Sequence, residues 1–66
     1  MDKGEHNMWK VTLENNTIAV YFANQEPTWN IEDRSIDMMQ IDDTTNKERQ
    51  TVLMPSIYDR VIIEEV

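Results

Sequence analysis

The chain has 66 residues, 39 % of them hydrophobic, with 13 Asp and Glu against 6 Lys and Arg for a net charge of −7 at pH 7. This describes one small domain rather than a disordered segment, and a chain this short buries only about 60 % of the surface its unfolded form exposes. With no cysteine it has neither disulfides nor thiolate metal sites, which leaves pairing with another chain as its means of added stability.

The charge balance speaks against nucleic acid and anionic membranes as partners, because phosphate binding needs clustered Lys and Arg and the six here are scattered. Apolar runs do not exceed about six residues, too few to span a bilayer. Residues Met1 to Asn7 are polar, hold the single Gly, and read as a loose arm ahead of one β domain over 8–66. They lack a basic region followed by an apolar one, so no secretory signal is expected. The expected location is the cytosol, that of the host for a phage-encoded protein.

Trp9 to Phe22 reads as a β-hairpin turning at Asn15-Asn16, since Asn tolerates the left-handed backbone that a two-residue loop requires. With Glu14 facing Thr17, Leu13 pairs with Ile18, Val11 with Val20 and Trp9 with Phe22, which places three apolar pairs and Trp9 in the core. Lys10 opposite Tyr21 and Thr12 opposite Ala19 then form the wetter face. Asn24-Gln25-Glu26-Pro27-Thr28 breaks the strand, because Pro lacks a ladder donor and holds Glu26 extended. Trp29 and Ile31 suggest a connection folded over one end of the sheet, with Trp29 closing the core.

Asn30 to Asp42 fits two patterns. As a helix, Asn30 caps it, Glu32 and Asp33 lie in its first turn, and Ile31, Ser35, Met38 and Met39 share a face. As a strand, Ile36 and Met38 point one way and Met39 and Ile41 the other. Ile36 falls off the helical stripe, which favours a strand over Arg34 to Asp42 after a short helical turn at Asn30 to Asp33. Asp42 to Arg49 holds no apolar residue and reads as a loop or an exposed hairpin end. Thr51 to Met54 is a strand stopped by Pro55, and Ser56 to Asp59 is a tight connection. Arg60 to Val66 is the most β-prone run. Val61 and Ile63 face one side and Ile62 the other, so this strand is expected to lie centrally or under another chain, giving a dimer or larger homo-oligomer.

The expected fold is all-β, with at most one short helical turn: a small five-stranded antiparallel barrel or curled sheet. Five short strands with a Pro-containing turn before the last resemble the SH3-like and Sm-like small barrels in outline.

Chemistry is sparse. One His, at position 6 in the arm, and Ser35 and Ser56 do not supply a nucleophile with a positioned base, so no enzyme is expected. Adjacent carboxylates such as Glu32-Asp33 and Glu64-Glu65 point to opposite faces of a strand and do not converge on one proton. Asp42, Asp43 and Glu48 lack the Gly and the alternating ligands of a calcium loop and read as a solvated face. No metal and no cofactor is expected. Asn15-Asn16-Thr17 matches a glycosylation acceptor but reads as a turn. Met8, Met38, Met39 and Met54 are candidates for core filling, the favoured role, or for a binding surface.

Binding remains. In one reading Asp37, Asp42, Asp43, Glu48, Glu64 and Glu65 engage a basic surface of a partner protein or imitate the charge of nucleic acid. Small acidic chains without catalytic groups are a form taken by phage-encoded inhibitors of host enzymes or defence systems. In a second reading a homo-oligomer sequesters a nucleotide-like molecule, stacked on Tyr21, Trp29 or Tyr58 and held by Arg34, Arg49 or Arg60. In a third the chain is a structural or assembly subunit.

Overall fold

The computed structural model describes residues 8–66, so the expected arm over 1–7, with His6, lies outside the described residues. Six antiparallel strands form one curled sheet: β1 (Trp9–Glu14), β2 (Ile18–Ala23), β3 (Thr28–Asn30), β4 (Ser35–Ile41), β5 (Glu48–Leu53) and β6 (Arg60–Glu65). β1 lies between β2 and β6. β4 carries β5 along one side, and β3 and then β2 along the other. Among the described residues β5 and β6 do not pair with each other, so the sheet is an open half-barrel in which β5, β6 and the short β3 each have a single partner strand.

The hairpin forms where expected, but its register is shifted by one residue. The loop is Asn15-Asn16-Thr17, closed by the Asn15 N–H donating to the Thr17 carbonyl at 2.9 Å, and neither Asn takes a positive φ. Val11 therefore pairs with Tyr21, Leu13 with Ala19 and Trp9 with Ala23, not with Val20, Ile18 and Phe22. A shift of one residue turns every β2 side chain to the other face. Ala19, Tyr21 and Ala23 face inward, while Ile18 and Val20 face outward, 63 % and 42 % exposed. Trp9 is half-buried on the inner face at the end of β1, outside the fully buried core.

That core is Val11, Ala23, Ile36, Met38 and Leu53, with Leu13, Tyr21, Val61 and Ile63 packed against it. Each strand but β3 contributes, and β4 supplies two residues from its centre, as alternation of Ile36 and Met38 requires. The strand reading of 34–42 is correct, and the helical turn before it is instead a short strand, β3, and a turn over residues 31–34. Arg34 closes that turn at φ 51°. The stretch 42–49 is the exposed end of the β4–β5 hairpin, one of its two expected forms, and β5 begins within it at Glu48 because β4 offers a full row of partners from Ile36 to Ile41. The remaining turn uses Asn46 at φ 61°, a conformation Asn adopts more readily than other non-Gly residues.

Of the two positions expected for β6, the central one is not taken: it is an edge strand, although its middle is Val-Ile-Ile. Trp29, the cross-strand partner of buried Ile36, reaches across the curl, and with Val61 and Ile63 it lines an open groove of about 410 Å³. Trp29 thus lies along the inner face of the sheet and not over its end. Among the described residues no helix is long and apolar enough to cross a membrane.

Candidate functional site

The cross-strand registers place the acidic residues. One row of partners runs Glu65, Trp9, Ala23, Gln40, Arg49, and one residue inward runs Glu64, Lys10, Phe22. The C-terminal end of β6 and the β4–β5 turn therefore occupy the same end of the sheet, although they are far apart in sequence. Alternation assigns the faces: Met8, Lys10, Phe22, Ile41, Glu48 and Glu64 look outward, Glu65 and Arg49 inward.

On that outer corner Met8, Phe22, Ile41, Asp43 and Asn46 line a depression of about 280 Å³. Its floor is apolar. Asp43 stands on its rim, and Glu48, opposite Ile41, is exposed beside it. The Asn24 side-chain amide donates to Glu48 Oε2 at 3.3 Å, which orients that carboxylate while leaving its other oxygen free. Glu64, exposed, completes the group from β6, with Lys10 between it and Phe22.

The other sequence-derived carboxylates are used differently. Asp42 accepts the backbone N–H groups of Thr44 and Thr45 at 2.8 and 3.2 Å and so closes its own turn. Those two bonds, first that from Thr45, hold its carboxyl below the usual 3.8, with Arg49 adding a smaller pull. Asp37 lies mid-strand and accepts from the Asn30 amide at 2.9 Å. Glu65 points to the opposite face of the sheet.

The aromatic and Arg residues do not gather. Tyr21 packs on the core, Tyr58 stands 80 % exposed before β6, Arg49 lies on β5 and Arg60 on β6. Arg60 faces Glu14, with 3.9 Å between Nη1 and Oε1. Trp29 and Arg34 are the pair that meets, the guanidinium carbon 5.7 Å from the ring centre. That guanidinium is already committed, donating to the Ser56 carbonyl at 3.0 Å, and it ties the turn over 31–34 to the loop before β6. Its buried Nε has no hydrogen-bond partner among the described residues.

Sequence reasoning offered Met8 as a surface candidate only beside core filling, and missed Phe22 and Ile41 as part of a surface. The shifted register is what brings Phe22 out, and no local signal announces it. No family model, curated protein or solved structure matches the chain.

Proposed function

We propose that the protein is a non-catalytic binding protein that engages a basic surface of a partner protein through its outer corner. One observation carries this reading: an apolar floor of Met8, Phe22 and Ile41 with Asp43 on its rim and Glu48 and Glu64 close by. Lys and Arg bury their methylene stems on apolar surface and keep the charged head in water or on a carboxylate. A depression of this composition suits such a side chain. The net charge of −7 adds long-range attraction, which raises association rate and is screened by salt.

The test is titration calorimetry with Lys- and Arg-rich peptides and with neutral peptides of the same length, at low and at physiological salt. Basic peptides are expected to bind with an affinity that falls steeply with salt, and Asp43→Lys with Glu48→Lys is expected to weaken binding by roughly tenfold or more. Salt-insensitive binding, or equal affinity in the charge-reversed variant, would overturn the proposal.

A further inference from the structure

The β6 edge carries its own complement. The Val66 N–H donates to the Met8 carbonyl at 2.8 Å, which sets the phase of the β1–β6 ladder. In an antiparallel pair hydrogen-bonded and non-hydrogen-bonded positions alternate, so residues 60, 62 and 64 bond β1 while Val61, Ile63 and Glu65 aim their N–H and C=O groups outward from the sheet. Among the described residues nothing pairs with that edge.

We infer that the occupant of this edge is a second copy of the chain, β6 against β6, antiparallel about a two-fold axis through Ile62. A two-fold axis perpendicular to the sheet keeps each face continuous, so it must pass through a residue and not between two. Centred on Val61 it sets Arg60 against Ile62, and centred on Ile63 it sets Ile62 against Glu64 and Val61 against Glu65, so each choice opposes a charge and an aliphatic side chain. Centred on Ile62 it sets Arg60 opposite Glu64, Ile62 opposite itself and Val61 opposite Ile63.

That register completes rows already present in one copy. On the outer face Glu14 and Arg60 are partners in one copy and Glu64 and Lys10 in the other, so the seam joins them into four alternating charges. On the inner face Val11 and Ile63 of one copy continue into Val61 and Leu13 of the other, extending the apolar layer that already packs on the core. The phase agrees as well, because Val61 and Ile63 are the residues with outward N–H and C=O groups and become the hydrogen-bonded pair. At the ends Glu65 comes opposite Asp59, whose carboxylate is held in its own loop by the Asn15 amide at 3.2 Å and the Ser56 N–H at 2.8 Å. The seam shares Glu64 with the outer corner, but Asp43 and Glu48, whose charge reversal tests the outer-corner reading, take no part in it, so either reading can fail without the other.

The experiment uses the full chain, which has no cysteine of its own. Light scattering on a sizing column is expected to give twice the 7.9 kDa chain mass at micromolar concentration, and Arg60→Glu, checked for β structure by circular dichroism, is expected to shift the mass toward one chain. Ile62→Cys and Ile63→Cys fix the register. In a non-hydrogen-bonded antiparallel pair the two Cα atoms lie about 4.5 Å apart, within disulfide reach, whereas the two copies of position 63 sit diagonally about 7–8 Å apart and beyond it. Mild oxidation is therefore expected to cross-link the Ile62→Cys protein and leave the Ile63→Cys protein uncoupled. A monomer mass for the unaltered chain, or cross-linking of Ile63→Cys as fast as that of Ile62→Cys, would overturn the inference.

Discussion

The edge strands β5 and β6 are of equal length but present opposite kinds of side chain. The Asp42 N–H donates to the Lys47 carbonyl at 2.8 Å, so by alternation Glu48, Gln50 and Val52 carry the outward amides of β5. Around them stand Glu48, Arg49 and Gln50, all exposed, and charged side chains of this kind blunt an edge against pairing. β6 puts Val61, Ile62 and Ile63 at its middle, each half-buried, and confines charge to its ends. The two edges thus differ in three or four side chains and not in strand length. The edges also differ in anchoring: β5 drives Leu53 into the buried core, while β6 only leans Val61 and Ile63 against it.

The sharpest way to break this comparison is to remove the anchors in turn. Leu53→Ala leaves a cavity under β5, and large-to-small changes of this kind cost about 2–5 kcal/mol. A domain this small has about 3–5 kcal/mol in total, so the variant is expected to be largely unfolded by circular dichroism at 25 °C. Val61→Ala is expected to cost about 1 kcal/mol, read as a modest shift of the urea midpoint. Equal losses in the two variants would mean that the edges are anchored alike.

A smaller effect separates their outer faces. Ile62→Asp replaces a half-buried aliphatic side chain by a carboxylate and is expected to lose about 1–3 kcal/mol and, if the copies pair as inferred, to lower the mass toward one chain. Val52→Asp, at a position 52 % exposed on β5, is expected to stay within about 0.5 kcal/mol of the parent. Unchanged stability and mass for Ile62→Asp would show that Ile62 is free in solution.

Next, β5 can be made to resemble β6. Replacing Glu48 and Gln50 by Val strips the charge and the amide from one face of the edge and leaves Arg49 on the other, and light scattering is expected to show species larger than those of the parent chain, because much of what deters pairing is then gone. If the mass does not rise, polar side chains are not what keeps β5 single.

The smallest effect is at the turn that starts β5. The folded protein holds the Asp42 carboxyl below its usual value through the Thr45 and Thr44 N–H groups, so the contribution of Asp42 to stability is present above pH 3.8 and disappears as the pH falls through its lower folded value. Asp42→Ala is expected to flatten the acid limb of a stability-against-pH curve below about pH 4 and to leave the neutral region little changed in slope. An unchanged acid limb would show that this turn does not sense pH.

Much of the architecture was legible because it is local. The position of the first hairpin, the strand character of 34–42 and the β propensity of Arg60 to Val66 follow from alternation, from Ile36 falling off a helical stripe, and from β-branched residues. The register of β2 was not legible, since Ile18, Val20 and Phe22 compete with Ala19, Tyr21 and Ala23 for the inner face, and the larger set is the one left outside. β3 is three residues long and becomes a strand only because β4 lies beside it. The outer corner was illegible for the same reason: Asp43 and Glu48 come from one turn, Glu64 from the chain end, and Phe22 from a strand whose facing the pattern misassigns. Nothing in their spacing announces that they meet.

The two-sided character of β2 has a kinetic consequence. Because either side can satisfy a neighbour, a hairpin with a two-residue loop is a competent rival in the collapsed chain, and molecules caught in it must unzip six rungs before the Thr17 loop can form. Refolding is expected to show a minor slow population that vanishes when Val20 is changed to Lys, since that substitution removes the incentive to point the wrong side inward.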